Sequence, residues 1–239
     1  MFQLPEMYRV DVNVALKDFI PKDLKPNDKK RIKDTVKNMK LEYQIAGEEI
    51  PSAVDDSYRC QVIQFYDMEV ENIKDANFLA VTYQNLIKPL CVLHMHDAKE
   101  EIYSLAIKRL NQTDDMQIVI EQSLLTDKFM VGVPDSSRDR LQAYMDYLQI
   151  KNKTNKLNLY REWFYKAYMV EHEKAYANTG MILDGNIWYD SDRTARICKK
   201  YMELVTSRDR LKSAVTNADR MQLNKEIKKA MNELTECAK

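Results

Sequence analysis

The stretch from Pro89 to Arg109, PLCVLHMHDAKEEIYSLAIKR, contains two apolar runs on either side of a polar break. Side chains alternate between the two faces of a strand, so a turn of even length at residues 97–100 keeps both runs in phase. One face then carries Leu90, Val92, His94, His96, Tyr103, Leu105 and Ile107. The other face is equally apolar, which favours a position inside a sheet that is covered on both sides. We therefore predict a central β-hairpin.

The composition indicates a folded, helix-rich protein without a large excess of charge. Hydrophobic residues make up 45% of the 239 residues, and only 4 are glycine, which argues against glycine-rich nucleotide loops. Lys+Arg and Asp+Glu balance at 37 each, so net charge points neither to nucleic acid nor to membranes. No apolar run approaches the ~18 residues of a membrane span, and no secretory signal opens the chain. Four scattered cysteines fit a soluble cytoplasmic protein with reduced thiols.

Apolar spacing predicts an α+β sheet domain over residues 1–133, with a small mixed or antiparallel sheet, the central hairpin and flanking helices. The other predicted elements, in chain order, are an irregular, partly extended arm over 1–25, a helix over 27–39, a strand over 41–45, a strand over 58–70, a helix from Asp75 to Ile87, and a strand over Met116–Leu125.

The sequence MVGVPDSS at 130–137 marks the predicted boundary to an all-helical region over 134–239. Ser136 or Ser137 is expected to cap its first helix, and a longer helix is expected over 157–178. The last part, about 191–239, has two apolar seams that are out of phase around TNADR at 216–220. An antiparallel helical hairpin explains this slip, and one long stuttering helix is the alternative.

Short motifs resemble a prokaryotic family, the domain of unknown function numbered 4391. They are LP at 4–5, VN at 12–13, IPK at 20–22, KPLCVLHM at 88–95, YSLAIKR at 103–109 and LNKEIKK at 223–229. The chain departs from this pattern at Val14, where a basic residue is expected. The resemblance carries no catalytic residue across. It implies a protein that is often encoded beside helicase and methyltransferase genes in antiphage-defence neighbourhoods.

Two groups of residues suggest metal chemistry. His94 and His96 share one strand face, where Asp97 or Glu101 could complete a zinc site. Asp67 and Glu69, with Glu121 as a third candidate carboxylate, could hold Mg²⁺ as in nucleases, although no Glu-x-Lys motif follows. In each case an ordinary structural role is the alternative: histidines hydrogen-bonded within the sheet, or the polar edge of an amphipathic strand.

Nucleotide-binding and hydrolase motifs are missing from the sequence, so no cofactor is predicted. The leading hypothesis is a non-enzymatic accessory subunit that binds a larger protein, such as a helicase, through its C-terminal seams. The predicted partner-binding residues are Ile197, Tyr201, Leu204, Leu211, Val215, Leu223, Ile227, Met231 and Leu234. The alternatives are the metal-dependent nuclease and a nucleic-acid-binding accessory protein. The latter would use Lys29, Lys30, Arg31, Lys33 and Lys37.

Overall fold

The computed structural model describes residues 2–114 and 117–238, and it has the predicted α+β architecture. Its strands are β1 (Arg9–Asn13), β2 (Val36–Ile45), β3 (Ala53–Val54), β4 (Arg59–Cys60), β5 (Ile63–Val70), β6 (Leu90–His96), β7 (Glu100–Leu110), β8 (Ile118–Leu125) and β9 (Phe129–Met130). Its α-helices are α1 (Pro26–Thr35), α2 (Ala76–Leu86), α3 (Ser136–Met145), α4 (Lys156–Glu171), α5 (Thr179–Asp184), α6 (Ser191–Ser213) and α7 (Asn217–Ala238).

The predicted β-hairpin is confirmed as the pair β6 and β7, with Val92 opposite Leu105 and His96 opposite Glu101. Asp97 closes the turn, because its Oδ1 accepts hydrogen bonds from the backbone N–H groups of Lys99 and Glu100. The hairpin lies inside the sheet, whose order is β1-β2-β5-β6-β7-β8, with β9 also paired to β7. The continuous apolar character of both strands follows from this interior position.

The only parallel pair in this described sheet is β5 with β6, and α2 makes the crossover between them. All other pairs are antiparallel. The predicted strand over 58–70 is divided, since residues 61 and 62 separate β4 from β5. The short β4 pairs with β3 in a separate two-stranded sheet.

Helices α1 and α2 cover one face of the sheet. Ile32 from α1 and Leu79 from α2 pack in one buried cluster with Met68 and Leu93 from the central strands. At roughly 25 cal/mol per Å² of apolar surface, full burial of each such side chain contributes about 1.5–3 kcal/mol. This cluster therefore fixes which side chains of β5, β6 and β7 face the helices, and their neighbours along each strand must face the other way.

The opposite face is covered in part by α4. The Trp163 ring meets the Phe65 ring edge to face, with centroids 5.3 Å apart. The Tyr160 hydroxyl donates to the carbonyl oxygen of Cys91 at 2.6 Å and accepts from the N–H of Ala106 at 3.0 Å. The Tyr160 hydroxyl therefore lies between β6 and β7 at the open end of the hairpin, where it completes the hydrogen bonding of these two backbone groups.

Several predicted boundaries were wrong for identifiable reasons. The first helix ends at Thr35 rather than Met39, because Val36 and Met39 belong to β2 and face the same buried cluster as Ile32. The N-terminal arm contains β1, which pairs with β2. Asp135, not Ser136 or Ser137, caps α3 by accepting from the N–H groups of Ser137 and Arg138. Met116, the predicted start of β8, lies outside the described residues.

The chain separates into two compact units, Met1–Phe164 and Tyr165–Lys239. In the second unit, α6 and α7 form the predicted antiparallel hairpin, which turns at residues 214–216. Arg193 Nη2 donates to the carbonyl oxygen of Cys237 at 2.9 Å, and Lys200 pairs with Glu233 at 2.9 Å. The division into domains near residue 133, where the composition changes, stays a prediction. No helix in the described part of the chain is long and apolar enough to cross a membrane.

We expect Leu93→Ala to destabilise the first compact unit by about 2–5 kcal/mol, because Leu93 is fully buried and its truncation leaves a cavity. Urea denaturation followed by Trp163 fluorescence, in a Trp188→Phe background, measures this change. Val81→Ala on the exposed side of α2 is the matched control and should change stability by less than about 0.5 kcal/mol. Equal effects of the two substitutions would contradict the assignment of the core.

Candidate metal centre

A cluster of polar side chains lies on the face of the sheet opposite α1 and α2, at the carboxyl ends of the parallel strands β5 and β6. The register places Asp67 beside His94, His94 opposite Tyr103 and His96 opposite Glu101. These residues alternate along their strands with Met68, Met95 and Ile102 of the buried cluster. The same alternation that buries the apolar side chains therefore brings the polar ones together.

His94 is at the centre of the cluster and contacts two carboxylates. Its Nδ1 lies 2.8 Å from Asp67 Oδ1, and its Nε2 lies 2.8 Å from Glu101 Oε2. The other oxygen of Asp67, Oδ2, lies 3.2 Å from His96 Nε2. One carboxylate thus joins the two imidazoles that the sequence predicted to share a face.

Stacking fixes the plane of the His94 ring. The ring centroid of His96 lies 5.1 Å away at an interplanar angle of 28°. On the hairpin partner strand, the Tyr103 ring lies 4.7 Å away at 15°. Since His94 retains only 17% side-chain exposure, its orientation is set by packing as well as by hydrogen bonds.

Glu101 has further partners outside the imidazole. Its Oε1 lies 3.3 Å from Arg138 Nη1, and its Oε2 accepts a hydrogen bond from the Tyr103 hydroxyl at 3.3 Å. Arg138 is in the first turn of α3, where the Asp135 cap holds the backbone. The cluster therefore runs continuously from α3 through β7 and β6 to β5.

Electrostatics in the cluster favours charged forms of all three central groups. Burial alone would raise the pKa of Asp67, but hydrogen bonds from His94 and His96 outweigh it and lower the pKa. Burial would lower the pKa of His94, yet the Asp67 and Glu101 carboxylates raise it. The hydrogen bond from His94 is the main cause that lowers the pKa of Glu101, with Arg138 adding to it.

Asp67, His94 and His96 have the composition and spacing of a metal site. Each offers one ligand atom, and these atoms all lie within 4.8 Å of one another. Tetrahedral zinc with bonds of about 2.0–2.2 Å holds its ligand atoms about 3.4 Å apart. Two different oxygens of Asp67 make the short contacts, Oδ1 at 2.8 Å from His94 Nδ1 and Oδ2 at 3.2 Å from His96 Nε2. A bound ion would therefore require these side chains to shift slightly from their hydrogen-bonded positions. Two imidazoles and one carboxylate would bind an ion and leave coordination positions open.

The predicted site residues are only partly brought together. Asp67, His94 and His96 form the cluster, and Glu69 is exposed on the same face as the register neighbour of His96. Asp97 is engaged elsewhere, since its Oδ2 accepts from the N–H of Ile73.

Glu121, the third predicted carboxylate, binds the Tyr58 hydroxyl at 2.8 Å and lies 3.4 Å from Arg109 on β7. Arg138 was missed because no local signal joins it to Glu101, from which it is separated by 37 residues.

The predicted basic surface is separate from this cluster. Helix α1 packs on the other face of the sheet. Arg31 pairs with Asp75 and lies over the Phe78 ring, Lys29 Nζ donates to the carbonyl oxygen of Lys22, and Lys37 pairs with Glu71. Use of Lys29, Lys30, Arg31, Lys33 and Lys37 as a nucleic-acid surface stays a prediction.

The predicted partner-binding seam is largely covered within the chain. The buried members are Ile197, Tyr201, Leu204, Leu223, Ile227 and Leu234. Leu211 and Met231 are half-buried, whereas Val215, at the turn of the hairpin, is 88% exposed. Docking of a partner, which stays a prediction, would therefore use the turn rather than the seam.

Comparison with known proteins places the chain in a family. The model of the family described as Domain of unknown function (DUF4391) matches residues 2–234. No curated protein matches the chain. No solved structure matches it either.

In chelator-treated protein, we expect the His94 imidazole to titrate above the ordinary value of about 6.5, because two carboxylates stabilise its protonated form. The pairing of protonated His94 with these carboxylates stabilises the fold fully at pH values below the pKa of His94 in the unfolded chain. This stabilisation is lost as the pH rises through the higher pKa of His94 in the folded protein. Histidine ¹⁵N NMR titration measures the value, and Glu101→Gln should lower it. A His94 pKa at or below 6.5 would contradict the described contacts.

Proposed function

Because the chain belongs to the DUF4391 family, whose description assigns no activity, we propose a function from its site: a metal-dependent hydrolase that binds one divalent ion through Asp67, His94 and His96. The observation that carries the proposal is the convergence of three ligand atoms within 4.8 Å on one sheet face. The predicted nuclease is the first form of this activity to test, since the resemblance implies genes for helicases and methyltransferases nearby.

The ligand set favours a transition metal over magnesium. Mg²⁺ takes oxygen ligands in octahedral geometry, whereas imidazole suits zinc, iron, nickel and copper. Two of the three residues here are histidines. Three protein ligands with an open position are the pattern of catalytic rather than structural zinc sites.

The position of the cluster in the fold also suits catalysis. Ligands bind in α/β sheets outside the carboxyl ends of parallel strands. Asp67, His94 and His96 lie near those ends of β5 and β6, the parallel pair that α2 connects. We therefore propose that an ion at this site would meet its substrate at the edge of the sheet near the turn after β6.

A bound divalent ion lowers the pKa of its water ligand and polarises a carbonyl or phosphoryl oxygen. The chain must then supply a group that accepts the proton of that water. Glu69 is exposed, lies on the same face two residues after Asp67, and neighbours His96 in register. We assign it the role of general base, in addition to Asp67 as ligand.

We expect the wild-type protein to bind about one equivalent of Zn²⁺ or Mn²⁺ and to cleave DNA, RNA or another phosphodiester in the metal-loaded form. Asp67→Ala should lose both metal binding and cleavage. Glu69→Gln should keep metal affinity within about threefold and lose cleavage by roughly 10²–10⁴-fold, because only proton transfer is removed. Calorimetric titration and a nuclease assay against single- and double-stranded substrates measure the two properties.

Glu226→Gln, at a partly exposed carboxylate on α7, is the matched control and should change neither property. Wild-type protein that takes up no divalent ion at micromolar concentration would reject the metal site. Metal binding without cleavage of any nucleic acid would retain the site and reject the nuclease.

A second candidate is the non-enzymatic accessory subunit that docks on a larger protein, such as a helicase or another defence-system subunit. Exposed apolar side chains at the turn of the α6–α7 hairpin favour it, since Val215 is 88% and Met221 64% exposed. Contiguous exposed apolar surface is typical of protein-binding sites, and we propose that these two side chains belong to such a surface. Nucleic acid would then be reached through the partner.

We expect Val215→Asp with Met221→Asp to abolish co-purification of a helicase-class partner from the native host, because each substitution places a charge in an apolar contact. Quantitative mass spectrometry of tagged protein measures the loss. Val54→Asp, at an exposed valine of β3, is the control and should retain the partner. Retention by the double variant would exclude this surface.

A further inference from the structure

We propose that Glu101, held by Arg138, is a positioning residue that fixes the tautomer of His94 so that Nδ1 faces the metal ion. This inference rests on the proposed metal site and assigns Glu101 a place outside the coordination sphere. It excludes the sequence-based expectation that Glu101 supplies a ligand to the ion.

The carboxylates of Asp67 and Glu101 lie at opposite nitrogens of the His94 ring. Nδ1 faces Asp67 Oδ1 at 2.8 Å, and Nε2 faces Glu101 Oε2 at 2.8 Å. The lone pairs of the two ring nitrogens point away from each other, so an ion held by Nδ1 with Asp67 and His96 is on the side of the ring remote from Glu101. Glu101 therefore contacts the ligand and cannot also contact the ion.

A neutral imidazole carries one N–H and one free lone pair, and a metal needs the lone pair. A carboxylate only accepts hydrogen bonds, so Glu101 requires the proton on Nε2. The lone pair of Nδ1 is then directed towards Asp67, where the ion would bind. Carboxylates that accept from metal-ligating histidines in this way raise the basicity of the ligand and fix its orientation.

Glu101 is itself fixed by two further contacts. Arg138 Nη1 lies 3.3 Å from Oε1, and the Tyr103 hydroxyl donates to Oε2 at 3.3 Å. Both carboxylate oxygens are thus used, and Glu101 cannot rotate without breaking an ion pair. The guanidinium comes from α3, so this helix contributes to the metal site without supplying a ligand.

The test compares Glu101→Gln, Arg138→Gln and the control Glu100→Gln by calorimetric titration of the metal-free proteins with Zn²⁺. Glu101→Gln should weaken binding by roughly 10–100-fold, since an amide can donate to Nε2 and favour the wrong tautomer. Arg138→Gln should weaken it less, because Glu101 remains. Glu100 pairs with Lys128 at 3.4 Å on the neighbouring position of β7, so its substitution should leave the affinity unchanged.

Nitrogen-15 NMR of the zinc-loaded proteins gives the readout that a merely structural role would not alter. Wild-type protein should show His94 protonated at Nε2 with Nδ1 bound to the ion, and Glu101→Gln should show a mixture of tautomers. Wild-type zinc binding with unchanged affinity and tautomer in Glu101→Gln would overturn the positioning role and leave the metal site intact. Absence of wild-type binding would instead reject the metal site itself, and with it this inference.

Discussion

The register between β5 and β6 is the constraint on which the rest of the structure depends. It places Asp67 beside His94 on one face while Met68 and Met95 are buried on the other. A shift by one residue would move every side chain to the opposite face. Such a shift would bury carboxylates and imidazoles under α2 without partners, at a cost of several kcal/mol for each charge. Apolar burial and the polar cluster therefore enforce the same register.

Charges in the cluster alternate in space when His94 is protonated: Asp67, His94, Glu101 and Arg138 follow one another with opposite signs. Removal of a single member leaves a neighbouring charge uncompensated in a partly buried position. A divalent ion between Asp67 and the imidazoles would take the place of the proton on His94 Nδ1. Under the proposed metal binding, Asp67 would contact the ion, whereas Glu101 would stay paired with Nε2 of His94.

Short-range sequence patterns predicted much of the fold, but they could not predict contacts between segments that are distant in the sequence. Two apolar runs on either side of a polar break predicted the hairpin, and the phase slip at TNADR predicted the turn between α6 and α7. The end of α1 was missed because Val36 and Met39 fit both a helical stripe and a strand that faces the same core. His94 and His96 were recognised from their spacing. Their contact with Asp67 depends on the parallel register of β5 and β6, which local sequence patterns do not determine. The contact of Arg138 with Glu101 likewise depends on how the chain after β9 places α3.

The Tyr160 hydroxyl between β6 and β7 has a consequence for the order of folding. Its partners, Cys91 and Ala106, precede it by 69 and 54 residues, so the open end of the hairpin is satisfied only after α4 reaches the sheet. Closing such long loops costs chain entropy before the contact is gained, and non-local contacts of this kind slow folding. The turn at Asp97 can form early from local contacts. The hydrogen bonds at the other end of the hairpin form only when α4, which follows much later in the chain, packs against the sheet.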